Sequence, residues 1–160
     1  MSDQHEPRRA YIPLLWLVGG AAVFLASWLG PNLAHLHRGG LFSMSPFFHY
    51  GLSVGIWFLA FAGGYLLIER LQLPFGRTAA WAHFGLMTSG AALIIAPSVA
   101  LAWLPDSATA AAPVSLFRWM NAVSLVGYAL TLLALLVFVG ALGWSVWARM
   151  TPRRTRPSAG

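Results

Sequence analysis

Apolar and polar positions along this chain come in long blocks rather than alternating residue by residue. Four apolar runs, 11–30, 47–68, 78–104 and 119–147, are separated by short polar segments. At about 1.5 Å per helical residue, each is long enough to cross a hydrocarbon core of roughly 30 Å. A barrel would show segments of about ten residues with alternating character, whereas these runs are continuous and rich in Leu, Ala and Gly. The pattern predicts an all-α, four-helix integral membrane bundle, with the second and third helices forming an antiparallel pair through a tight turn at 71–77. The first run has a basic start, but it is too long for a leader's apolar core, carries Asp3 and Glu6 where a leader is basic, and has no small-x-small site after it. It is read as a retained helix. Outside the runs, 1–10 reads as a polar arm and 148–160 as a basic tail, both expected to be disordered at their ends.

Composition supports the membrane reading: 58% of residues are apolar and 9% charged, too few charges for a water-facing surface. Cysteine is absent, which removes disulfides, thiolate metal sites and thiol chemistry, so any metal would depend on histidine. The ten basic residues are all arginine. Arg8, Arg9, Arg70, Arg77, Arg149, Arg153, Arg154 and Arg156 flank one side of the four runs, and only Arg38 and Arg118 the other. By the positive-inside rule this asymmetry places both termini in the cytoplasm. Anionic headgroups attract arginines at helix ends by roughly 1 kcal/mol each, so the basic balance reads as topology and lipid contact rather than nucleic-acid binding. Trp81, Trp144 and Trp147 near the inner boundary, and Trp28, Trp103 and Trp119 near the outer one, fit aromatic belts, while Trp16 and Trp57 fall deeper and read as packing residues.

Polar residues within the runs are few: Ser53, His83, Thr88, Ser89, Asn121, Ser124 and Thr131. Hydroxyls in such places bond back to the i−4 carbonyl or to a neighbouring helix, a structural role. Gly51 and Gly55 form a GxxxG, followed by Gly63 and Gly64, a spacing that lets another helix approach. Histidine occurs at 5, 35, 37, 49 and 83. A neutral imidazole ligates haem iron, copper or zinc, yet a single intramembrane histidine is also often a hydrogen-bonded interior group. His83, near the inner boundary beside Trp81, takes the structural reading. His35 and His37, in the segment 30–46, take that of solvated or headgroup-facing residues.

The stretch FHYGLSVG in the second run, followed after one turn by HFGLMTSGAALIIAP from His83 to Pro97, resembles the tenth and eleventh helices of subunit I of the haem-copper oxidases, the cytochrome c oxidase family. The matching positions are Phe48, His49, Tyr50, Leu52, Ser53, Gly55, Phe58, Gly63, Gly64, His83, Phe84, Met87, Gly90, Leu93 and Pro97. More weakly, Val18-Gly19-Gly20 with LAHLH is similar to the ninth helix and the loop after it, and FRWMNAVSLVG from Phe117 to Gly127 to the start of the twelfth. The resemblance implies a truncated homologue covering the last four helices of that subunit, with an orientation that agrees with the arginine asymmetry.

The departures limit what the resemblance implies. The family's HFHY carries two haem ligands, two residues and hence about 200° apart on a helix. Here the first is Phe47, which cannot ligate iron, so the oxygen-reducing haem site is lost. The helices bearing the copper ligands are not in this sequence, and PDSATAAAP at 105–113 has no counterpart of the arginine pair that holds haem propionates. His49 aligns with the low-spin haem ligand and is the candidate axial ligand to haem iron, with His35 or His37 as candidate second ligand or propionate-side contact. No copper is expected, and the chain alone is not expected to be catalytic. Two functions stay open: a haem-binding electron-transfer subunit of a respiratory haem-copper oxidase type complex, or a cofactor-free scaffold or assembly subunit packing against oxidase subunits. Either way the expected partners are membrane lipid and oxidase subunits or a second copy, in a bacterial inner membrane.

Overall fold

The computed structural model describes residues 11–37, 47–104 and 113–151, with the side chains of 31, 34, 35, 47–51 and 98 outside the described set. Those residues form four helices, α1 (Tyr11–His37), α2 (Phe47–Arg70), α3 (Arg77–Trp103) and α4 (Val114–Met150), and no strand among them. All four are long and apolar enough to cross a membrane. Their outer faces are apolar: Leu side chains are exposed along α1, α2 and α4, with Val or Ile among them, and on α3 the exposed large side chains are Trp81 and Trp103, joined on α4 by Trp119, Trp144 and Trp147. In water such a surface would be untenable, and in lipid it is the ordinary solvent-facing side.

Two boundaries differ from the sequence reading. The first helix does not stop at Gly30 but continues through Pro31 to His37, so the LAHLH segment is helical. Proline removes one backbone donor, and the neighbouring turn has side-chain bonds in hand: Asn32 Nδ2 donates to the Trp28 carbonyl at 2.7 Å and Ser27 Oγ to the Phe24 carbonyl at 2.9 Å. The fourth helix begins at Val114, just after Pro113, rather than at Trp119. Proline fixes φ in a helix-compatible range and suits the start of a helix, which here takes up VSLFR without interruption.

Close approach between helices is set by glycines. On α1, a Cβ at Gly20 would lie 2.8 Å from Phe58 Cβ of α2, and farther along, one at Gly55 of α2 would lie 3.8 Å from Phe24 Cβ. The two helices are therefore antiparallel neighbours. On α3 and α4, a Cβ at Gly90 would meet the Gly127 carbonyl oxygen at 2.7 Å, and one at Gly127 the Gly90 carbonyl oxygen at 2.8 Å. That contact is backbone on backbone, again between antiparallel helices, since Gly127 also faces Ile94. Gly19 against Phe84 and Gly30 against Val99 join α1 to α3 in parallel. Up-down-up-down order follows, with Tyr11 and Thr151 at the same end of the bundle.

The second and third helices are antiparallel in direction, as the sequence leads one to expect, but they pack only weakly on each other; α2 leans on α1, and α3 on α4. The reason is bulk. Trp16, Phe58, Phe61, Tyr65 and Met87 fill the space between the two pairs, with Phe84 and Phe138 packed against them, and keep the α2 and α3 backbones apart. Of the glycines singled out on α2, Gly55 is in ordinary contact with Phe24, and a Cβ at Gly63 would meet nothing within 4 Å, while Gly51 lies outside the described side-chain set.

The turn between α2 and α3 closes with Gln72 in the left-handed region, φ 51°. Leu73 N–H bonds the Ile68 carbonyl at 3.1 Å and Gln72 N–H the Glu69 carbonyl at 3.0 Å, the two bonds of a Schellman motif. From α4, the Arg149 guanidinium donates to the Leu71 carbonyl, and the Ser145 hydroxyl, bonded to the Ala141 carbonyl of its own helix at 2.7 Å, is shared with the Pro74 carbonyl at 3.2 Å. The end of α4 is thereby fastened to this turn.

Candidate functional site

Two places carry histidine chemistry, one at each end of the bundle. At the far end from the termini, the sequence singled out His35, His37 and His49. Helix α1 ends with His35 and His37 in its last turn, and α2 begins with His49 in its first. The side chains of His35 and His49 lie outside the described residues. His37 is exposed, and its ring centre lies 6.5 Å from that of Trp103 on α3.

Backbone register tests whether these residues suit a haem ligated from both sides. Gly20 sits against Phe58 and Phe24 against Gly55, so each step up α1 is a step down α2. Continued along the helices, this register puts His49 level with Leu29 and Gly30. His35 then lies five or six residues beyond, about 8 Å along the axis. Two axial ligands must meet one iron from opposite ring faces. Helices in direct contact, with axes about 8–10 Å apart, leave no slot for a porphyrin between them. On the backbone, His49 and His35 therefore stand at different levels of the α1–α2 pair, while their imidazoles lie outside the described residues. No group of three His, Cys, Asp or Glu that could hold a metal ion occurs among the described residues.

The second place is the one the structure builds. His83, on the second turn of α3, is fully buried, and so is Trp16 of α1. Aromatic rings surround the imidazole from three other helices: Phe61 at 4.5 Å and 83°, Trp16 at 4.6 Å, Phe138 at 4.9 Å and Tyr65 at 5.9 Å between centres. Tyr65 and His83 are hydrogen-bonded, Tyr65 Oη to His83 Nδ1 at 3.0 Å. This is the phenol's one hydrogen bond, and a buried phenol O–H must donate. Tyr65 is therefore the donor, Nδ1 the acceptor, and the proton of the neutral imidazole sits on Nε2. Among the described residues that Nε2 has no partner, nor has Trp16 Nε1. Each such buried donor, left unsatisfied, costs about 1–3 kcal/mol, and an N–H over a ring face recovers only part of it.

The structural reading of His83 as an interior group holds geometrically, and so does Trp16 as a packing residue; Trp57, by contrast, is exposed and stacks on Phe61 at 6.0 Å. The expected back-bonds are present at Thr88, to the Phe84 carbonyl at 2.8 Å, and at Thr131, to the Gly127 carbonyl at 2.9 Å. Sequence reasoning missed Tyr65 as the partner of His83, and missed the buried polar trio Ser27, Asn32 and Ser145. A tyrosine three residues from the end of an apolar run, on the helix preceding a buried histidine, was the available clue.

Compared with family models, with curated proteins and with solved structures, the chain matches none.

Proposed function

We propose that this chain is a cofactor-free scaffold or assembly subunit of a respiratory haem-copper oxidase type complex in a bacterial inner membrane, related to the last four helices of subunit I. The observation that carries the scaffold half of the reading is the register of α1 on α2, which sets His49 and His35 about 8 Å out of level. The interior supports it too, because the space a cofactor would need at the other end is taken by rings and by the Tyr65–His83 pair. The partner half of the reading comes from the motif resemblance around His49 and His83. An apolar outer face along α4, from Leu125 to Trp147, offers a surface on which another membrane subunit can pack without any water-facing change.

The test is recovery from native membranes. The tagged chain, extracted in mild detergent, should bring oxidase subunits with it, and the same chain expressed alone with ample haem should be colourless. Recovery as a lone monomer, or only with unrelated proteins, overturns the partner assignment. A second reading has one specific observation in its favour: the backbone positions of His35, His37 and His49 all stand at the same end of the bundle, the end where a haem shared with another subunit would need its ligands. A sharp Soret band in the purified complex that disappears in His49→Ala, but survives His83→Ala, would put this reading in place of the first.

A further inference from the structure

We propose that Trp16 Nε1–H and His83 Nε2–H together form a binding site for a single hydrogen-bond-accepting oxygen, supplied by an internal water or by the carbonyl of a small lipophilic molecule. Both side chains are fully buried, and both atoms are without a partner among the described residues. Their ring centres are 4.6 Å apart, so the two rings that carry these N–H groups are in contact. The hydrogen bond from Tyr65 fixes Nε2 as a donor, so the region presents two donors and no free acceptor on these rings. One oxygen with two lone pairs satisfies both at once. The selectivity follows from the same geometry: a cation or a second donor is refused, and the surrounding rings of Phe61, Tyr65, Phe84 and Phe138 offer no countercharge for an ionised ligand.

The site is independent of any haem or oxidase partner, and its test uses the whole chain in lipid nanodiscs labelled with 15N-tryptophan. The Trp16 indole resonance is assigned by its loss in Trp16→Phe. If that variant does not fold, assignment comes from protection against a doxyl lipid that broadens the exposed tryptophans, with Trp28→Phe removing the half-buried one. An exchange cross-peak from the Trp16 indole proton to water identifies the water source. A saturable downfield shift of the same proton on titration with acetophenone, absent for the exposed tryptophans and lost in His83→Phe, identifies the carbonyl source. A Trp16 indole proton with neither the cross-peak nor the shift overturns the proposal and leaves the two N–H groups lying over ring faces.

Discussion

Tyr65 and His83 depend on each other because neither has another described hydrogen-bond partner in the apolar interior. Removing one member therefore does more harm than removing both. Tyr65→Phe should lower the stability of the protein in detergent by about 1–3 kcal/mol, since it leaves Nδ1 buried and bare. His83→Phe should cost a similar amount by stranding the phenol. The double variant should lose less than the two single effects together, a non-additivity read from thermal or denaturant unfolding. Strict additivity would mean that the pair contributes nothing as a pair. The sequence made the histidine visible but not its partner, because Tyr65 and His83 are 18 residues apart and meet only once the two helices are laid antiparallel. Hydropathy says that both are buried in a membrane and nothing about which face each one turns.

At the scale of elements, the number and apolar character of the helices could be read from the sequence because long apolar runs leave the backbone no other way to satisfy its hydrogen bonds in lipid. Their ends and pairings could not. Pro31 looks like a stop but is carried through with the side-chain bonds of Ser27 and Asn32 nearby. The glycines at GxxxG spacing looked like the packing motif, while the tight contact is between Gly90 and Gly127, one on each of two helices and so without any spacing to recognise. This yields a contrast that can be measured. Gly127→Val and Gly90→Val should each destabilise the α3–α4 pair by roughly 3 kcal/mol or prevent folding, because the new atoms meet carbonyl oxygens that have nowhere to move. Gly63→Ala and Gly143→Ala, where a Cβ meets nothing within 4 Å, should be neutral or stabilising by about 0.5–1 kcal/mol through helix propensity. Equal sensitivity at all four positions would refute the packing assignment.

At the scale of the whole molecule, both described chain ends lie at one end of the bundle, and the arginine asymmetry predicts that this end faces the cytoplasm. Cysteine scanning checks it, helped by the absence of native cysteine. In intact cells or spheroplasts an impermeant maleimide should label Val114→Cys from outside and leave Thr151→Cys unlabelled until the membrane is opened. The opposite order would overturn the predicted topology and count against the proposed relation to the oxidase subunit.

The fastening of α4 to the α2–α3 turn has a mechanical consequence. Thirty-seven helical residues make a rod of about 55 Å, against roughly 30 Å of hydrocarbon and 40–45 Å of whole bilayer. Such a rod reports hydrophobic thickness: where the lipid is thin it must tilt further or protrude, and its end is not free to do either, because Ser145 and Arg149 grip the carbonyls of Pro74 and Leu71. Thinning therefore pulls on the turn. Amide hydrogen exchange at 71–76 should quicken as acyl chains are shortened from eighteen to fourteen carbons, and Arg149→Ala should make the turn exchange quickly at every chain length. A turn indifferent to thickness would mean that α4 slips past its anchors. If it does not, the bilayer itself becomes a load on this protein, and membranes of different thickness will hold the same four helices under different tension.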